Sequence, residues 1–228
     1  IYRYNLLTDQ FELYLDLAEH IYMGLVLHYL FIDSQEQLWI GLNSGLYCCL
    51  LGETPQLIDS DCHVTYITEL PQSMAIGTTC DLRIYSKDRN LLQKLCPDTY
   101  VQSLLPLPNK EILLIGTFNC GVKSISLSSW QEQPVKNGSL PHTPIRSMIE
   151  MTPSTVLLGF DGDGVYTYNL SSGEAEPLFT RTNRMLTAMG VYSLCRDCED
   201  NIWIGTYTGG GFLMMPEETS TTLLRHRK

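Results

Sequence analysis

The feature that most constrains this chain is a glycine that returns at a nearly fixed interval. Five segments can be stacked: LWIGLNSGL (38–46), AIGTTCDL (75–82), LIGTFNCGV (114–122), LLGFDGDGV (157–165) and IWIGTYTGGGF (202–212). In each, two or three apolar residues lead to a glycine, at Gly41, Gly77, Gly116, Gly159 and Gly205, so the intervals are 36, 39, 43 and 46 residues and average 41. Four or five residues further on, a turn position is filled by Gly45, Asp81, Gly121, Gly164 or Gly210. In four of the five segments an aliphatic residue follows and opens a second strand. Each unit therefore contains a β-hairpin.

A shorter apolar run precedes each hairpin, at 28–32, 64–67, 100–104, 145–149 and 191–194, and a weaker one follows at 55–58, 91–95, 133–135 and 176–179. Four strands in a unit of about 41 residues is the period of a β-propeller blade, a small antiparallel sheet standing radially around a channel. The expected fold is all-β, with blades near 21–60, 61–96, 97–136, 137–181 and 182–228 in one propeller region spanning 1–228. Two strand-like runs at 1–5 and 11–17 read as the outer half of a preceding blade, and 221–226 reads as the last outer strand. Five blades and a half make a partial propeller, expected to belong to a larger one or to close only through an irregular seam or a second chain. In this register Trp39 and Trp203 lie on second strands and are expected to be buried between blades. The five repeat glycines sit where backbone approaches a neighbour too closely for a side chain.

Composition agrees with this reading. Thirteen Tyr, 17 Gly and 11 Pro favour short strands and turns over helices. With 15 Lys and Arg against 25 Asp and Glu the net charge is −10, which disfavours nucleic acid and anionic membrane as partners. The longest apolar stretch, 21–32, falls short of the ~20 residues of a spanning helix, so no direct membrane insertion is expected of this segment. The opening IYRYNLLTDQ carries no signal-peptide pattern. Eight irregularly spaced Cys do not make a disulfide framework, and the lone CxxC, Cys195 to Cys198, lacks the second ligand pair of a structural zinc site.

The segments DSQEQLWIGLNSGL (33–46) and DCEDNIWIGTYTGG (197–210) share an Asp, four intervening residues and then an aliphatic-Trp-Ile-Gly core, and this pattern resembles the two-component regulator propeller repeat. The resemblance covers almost the whole chain. In the middle three units Met74-Ala75, Leu114 and Leu157 stand in place of the Trp. It implies the periplasmic sensor region of a hybrid two-component histidine kinase of the Bacteroidetes type, many of which respond to glycan breakdown products. The intact protein implied would carry paired propellers, a membrane span, a kinase core and a DNA-binding output. None of these lies within the 228 residues, so the chain itself is expected not to be an enzyme. The partners implied are an oligosaccharide and the rest of the parent sensor, a second propeller or a subunit.

Other chemistry finds little support. In GTFNCGVKS (116–124) Val122 separates the second Gly from Lys123, so the phosphate-cradling order of a P-loop is broken. Asp161 and Asp163 are spaced as in a calcium loop, but the later ligand positions fall on Val165 and Ser172. No GxSxG occurs, the five His are scattered, no cofactor is expected, and the basic tail 223–228 reads as a solvated terminus. The loops joining second to third strands all emerge on one face, where a ligand is best sought. They offer Asn43, Asp81, Asn119, Asp161, Asp163 and Tyr207, groups suited to hydrogen bonding and stacking with a sugar. A ligand-sensing or oligomerising propeller is the first reading; a propeller glycosidase or lyase and a protein-interaction scaffold are the alternatives.

Overall fold

The computed structural model describes residues 1–16, 26–178 and 189–214 and the backbone of 221–224. The boundaries expected near 20 and 181, Phe179, and the basic tail beyond 224 lie outside these residues. A hairpin of β1 (Tyr2–Asn5) and β2 (Gln10–Leu13) forms a two-stranded sheet. Five four-stranded antiparallel sheets follow. The first is β3 (Leu27–Ile32), β4 (Gln37–Leu42), β5 (Gly45–Leu50) and β6 (Gln56–Asp59). The second is β7 (Val64–Glu69), β8 (Ser73–Thr78), β9 (Leu82–Ser86) and β10 (Leu91–Leu95), and the third β11 (Val101–Leu107), β12 (Ile112–Thr117), β13 (Val122–Ser126) and β14 (Glu132–Gln133). The fourth is β15 (Ile145–Thr152), β16 (Thr155–Phe160), β17 (Gly164–Asn169) and β18 (Ala175–Pro177), and the fifth β19 (Val191–Arg196), β20 (Ile202–Thr206), β21 (Gly210–Met214) and β22 (Thr221–Leu224). Each sheet is a plain meander, so sequence neighbours are spatial neighbours.

The core lies between sheets. Trp39, Leu46 and Cys48 of the first blade meet Val64, Ile67 and Met74 of the second, and Leu157 and Val165 of the fourth meet Ile202, Ile204 and Phe212 of the fifth. Strands β4 and β8 are buried at every residue because both faces are covered, β8 by the neighbouring blades and β4 by the second blade and the segments flanking the N-terminal hairpin. Burying each large aliphatic or aromatic side chain contributes roughly 1.5–3 kcal/mol. Ile1, Tyr14 and Leu15, flanking the hairpin, pack on Leu38, Ile40 and Leu42 of the first blade and so lie on its outward side. Inner strands touch in chain order, β3 on β7, β7 on β11, β11 on β15 and β15 on β19; among the described residues no comparable contact joins the last blade to the first. The arc is open, as the repeat count predicted.

Two expectations need correction. Trp39 is fully buried, but Trp203 is 40% exposed. It occupies the equivalent position on β20, where no further sheet covers the blade among the described residues. The outer strands of the third and fourth blades are also shorter than expected and begin one residue earlier: β14 is two residues long and β18 three. In the third blade the chain turns off at Pro134, and Asn137 takes the place of a strand by pairing its side-chain amide with Val122, accepting from the backbone N–H at 2.9 Å and donating to the carbonyl at 2.9 Å.

Candidate functional site

Each blade ties its second-to-third-strand loop to the start of its own inner strand by the same backbone hydrogen bond. The N–H groups of Asn43, Thr79, Phe118, Asp161 and Tyr207 donate to the carbonyls of Val26, His63, Tyr100, Pro144 and Gly190, at 2.9–3.1 Å. These five residues are equivalent, each two positions after the repeat glycine, and their side chains share one rim. The inner strand beside each is bulged in every blade: the ladder skips His28, Thr65, Gln102, Arg146 and Tyr192. A bulge leaves one residue unpaired and re-aims its side chain. The rim is thus built from two positions per blade, one on the loop and one on the bulge.

Across the third to fifth blades these positions converge. Arg146 donates to Asp161 from Nε at 3.1 Å and from Nη2 at 2.8 Å, and from Nη1 to Gln102 Oε1 at 2.6 Å. Its guanidinium lies 4.9 Å from the ring centre of Tyr192, a cation–π contact. Tyr192 donates its hydroxyl to Asp161 at 3.3 Å and stacks on Tyr207, with centroids 5.4 Å apart. Tyr192 is 42% and Tyr207 76% exposed, so the pair offers an aromatic surface to solvent beside a fixed cation and carboxylate. Further along, Tyr100 and Phe118 stack at 5.0 Å with planes 8° apart. On the first two blades His28 and His63 meet.

Of the residues expected from sequence, Asp161 and Tyr207 fall in this cluster. Asn43 occupies the equivalent rim position on the first blade and accepts from the Val26 N–H at 3.0 Å. Asp163 is turned to Thr143, whose hydroxyl donates to it at 2.6 Å, and Asn119 is exposed one residue beyond Phe118. Asp81 is buried and serves the framework, accepting from Thr78 Oγ1 at 2.6 Å and from Arg83 Nε at 3.0 Å. Gln102, Arg146, Tyr192, Tyr100 and Phe118 escaped sequence reasoning. The inner strands read as alternating apolar runs, and only the polar or aromatic residue following each opening β-branched residue hinted at a break in the ladder.

The fold and its rim define an open arc of propeller blades presenting a polar and aromatic surface at one end of the inner strands. No family model matches the chain, and no curated protein does. Solved structures are similar to it. The extracellular domain of a hybrid two component system from B. thetaiotaomicron superposes with a TM-score of 0.72 at 22% identity, over 89% of this chain and 28% of that one. The extracellular domain of a second such system from B. thetaiotaomicron gives 0.68 at 17% identity, over 86% and 29%. A chain of the Mitotic Checkpoint Complex gives 0.76 at 10% identity, over 98% and 74%. At these identities the likeness is one of fold, and this chain spans 28% and 29% of the length of the two extracellular domains.

Proposed function

We propose that the chain is a ligand-sensing section of the extracytoplasmic, periplasmic part of a hybrid two-component sensor, and that its ligand is a carbohydrate taken at the rim of the third to fifth blades. The repeat resemblance and the fold shared with extracellular domains of such systems support the sensor reading. The observation that carries the ligand reading is the exposed Tyr192–Tyr207 stack beside the Arg146–Asp161 pair. A sugar ring places its C–H face on an aromatic surface and its hydroxyls on fixed donors and acceptors, and this cluster supplies both. Because Arg146 already holds Asp161, the polar groups are oriented before a ligand arrives, which lowers the ordering cost of binding. Sensing then requires that the bound ligand favour one arrangement of the parent protein over another, with the kinase and the DNA-binding output elsewhere in that protein.

Calorimetric titration with a panel of neutral and acidic oligosaccharides tests this. At least one is expected to bind, and Tyr207→Ala and Arg146→Ala are each expected to weaken it about tenfold or more. A panel that gives no heat, or binding that both variants retain, overturns the ligand reading and leaves an oligomerising or protein-binding role. Assay of the same panel for cleavage separates a glycosidase or lyase.

A further inference from the structure

The first two blades carry a second feature on the same rim, unconnected to the aromatic cluster. His28 is the bulged residue of β3, and His63 directly precedes Val64, the first residue of β7. The two imidazoles come from adjacent blades, and their Nε2 atoms face each other at 2.9 Å, with ring centroids 4.6 Å apart and planes 42° apart. A straight N–H···N hydrogen bond of this length would hold the centroids about 5.2 Å apart, because each nitrogen lies about 1.15 Å from its ring centre. Two imidazoles bound cis at 90° to one metal ion through bonds of about 2.05 Å would place the nitrogens about 2.9 Å and the centroids about 4.5 Å apart. Both separations fit the chelate. A tetrahedral ion would need the nitrogens opened to about 3.3 Å. Square-planar or tetragonal N,O coordination is the preference of Cu(II) and Ni(II).

We propose that His28 and His63 form a bidentate, solvent-open site for a divalent transition metal of tetragonal preference, and that the bound ion clips the first blade to the second. His28 is exposed and His63 half-buried, so water can complete the coordination. The backbone on both sides is fixed: the His63 carbonyl accepts from Thr79 N–H at 3.1 Å, and β3 is paired to β4 on either side of the bulge. Among the described residues no group of three or more His, Cys, Asp and Glu side chains could hold a metal ion, so the pair would act alone with water.

The experiment is titration of the whole chain with Ni(II) alone, followed by calorimetry and by thermal unfolding. The wild type is expected to bind one ion at this site and to unfold at higher temperature in its presence, since a ligand of the folded state stabilises it by mass action. His28→Gln and His63→Gln are each expected to weaken that binding about tenfold or more, and the double variant to lose both the binding and the thermal shift. Unfolding without metal reports whether each variant remains folded. If the folded double variant binds Ni(II) as the wild type does, the metal sits elsewhere and the proposal fails. It fails equally if the wild type gives neither heat nor a shift.

Discussion

Val191 closes over Gly159: a Cβ built on that glycine would lie 2.7 Å from Val191 Cγ1 and 2.5 Å from Ser147 Oγ. The same junction recurs at Gly77 with Val101, at 2.5 Å, and at Gly116 with Ile145, at 2.8 Å, while Gly41 meets Val64. In all four, a repeat glycine receives the β-branched residue that opens the next inner strand. Gly159→Ala is therefore expected to destabilise the chain by about 1–3 kcal/mol through overpacking. Gly138→Ala, where no atom lies within 4 Å of the added carbon, is expected to be near neutral. Urea unfolding of the two variants decides the matter, and equal midpoints would contradict this account of the repeat.

The Asp that opens the repeat motif holds its turn and its Trp together. Asp33 accepts from the N–H groups of Gln35 and Gln37 at 2.9 Å and from Trp39 Nε1 at 2.8 Å. Asp197 repeats the arrangement with Glu199, Asn201 and Trp203. The surroundings differ: Asp33 is 4% exposed and its Trp fully buried, whereas Trp203 is open to water. Asp33→Ala leaves buried donors unpaired and is expected to cost roughly 1–3 kcal/mol. Asp197→Ala is expected to cost less, because water replaces the lost acceptor. Chemical denaturation of both variants should show that order, and the reverse order would refute it.

Acid should weaken the junction between the first and second blades, where Asp59 of β6 accepts from Arg83 and Tyr85 of β9. Burial alone would raise the pKa of Asp59, but hydrogen bonds from Tyr85, the Asp61 N–H and Arg83 outweigh it and hold the carboxyl below the ordinary Asp value of 3.8. A carboxylate with a depressed folded pKa contributes stability that is present above its unfolded value and is lost as pH falls through the folded one. The melting temperature is expected to fall as pH drops below about 4, and Asp59→Asn to lower stability at neutral pH while flattening that acid slope. Melting curves between neutral pH and acid check this; an unchanged slope in the variant would assign the acid loss to other groups.

Thiol labelling should divide the cysteines into two classes. Cys80, Cys120, Cys195 and Cys198 are exposed, and Cys48, Cys49, Cys62 and Cys96 are buried. Burial pushes the thiols of Cys48 and Cys62 up to about 12, so the reactive thiolate is scarce even where reagent arrives. Mass spectrometry after brief alkylation at mild alkaline pH is expected to find the four exposed residues modified and the others modified only after denaturation. Early labelling of Cys62 would show that the first two blades open readily.

The spacing of Gly41, Gly77, Gly116, Gly159 and Gly205 made the blades legible, because a glycine enforced by a neighbouring strand must recur once per blade. Burial of Trp203 could not be read the same way: motif position describes the strand, while exposure depends on whether another sheet lies against it. The rim was legible at Asp161 and Tyr207, which sit on loops at a fixed offset from the glycine. Arg146 and Tyr192 were hidden because their place depends on a bulge, and a one-residue slip in a ladder leaves almost no trace in an apolar pattern.

The recurring bulge separates positions held by packing from positions that are not. In the inner strands of the second to fifth blades the residue before it is held against the glycine of the blade behind, and most of those after it are paired with the second strand. His28, Gln102, Arg146 and Tyr192 stand outside both demands, whereas Thr65 is tied to the next blade by donating its hydroxyl to the Val101 carbonyl at 2.7 Å. A chain built this way can exchange what it recognises one position at a time, without repacking the blades that carry the surface.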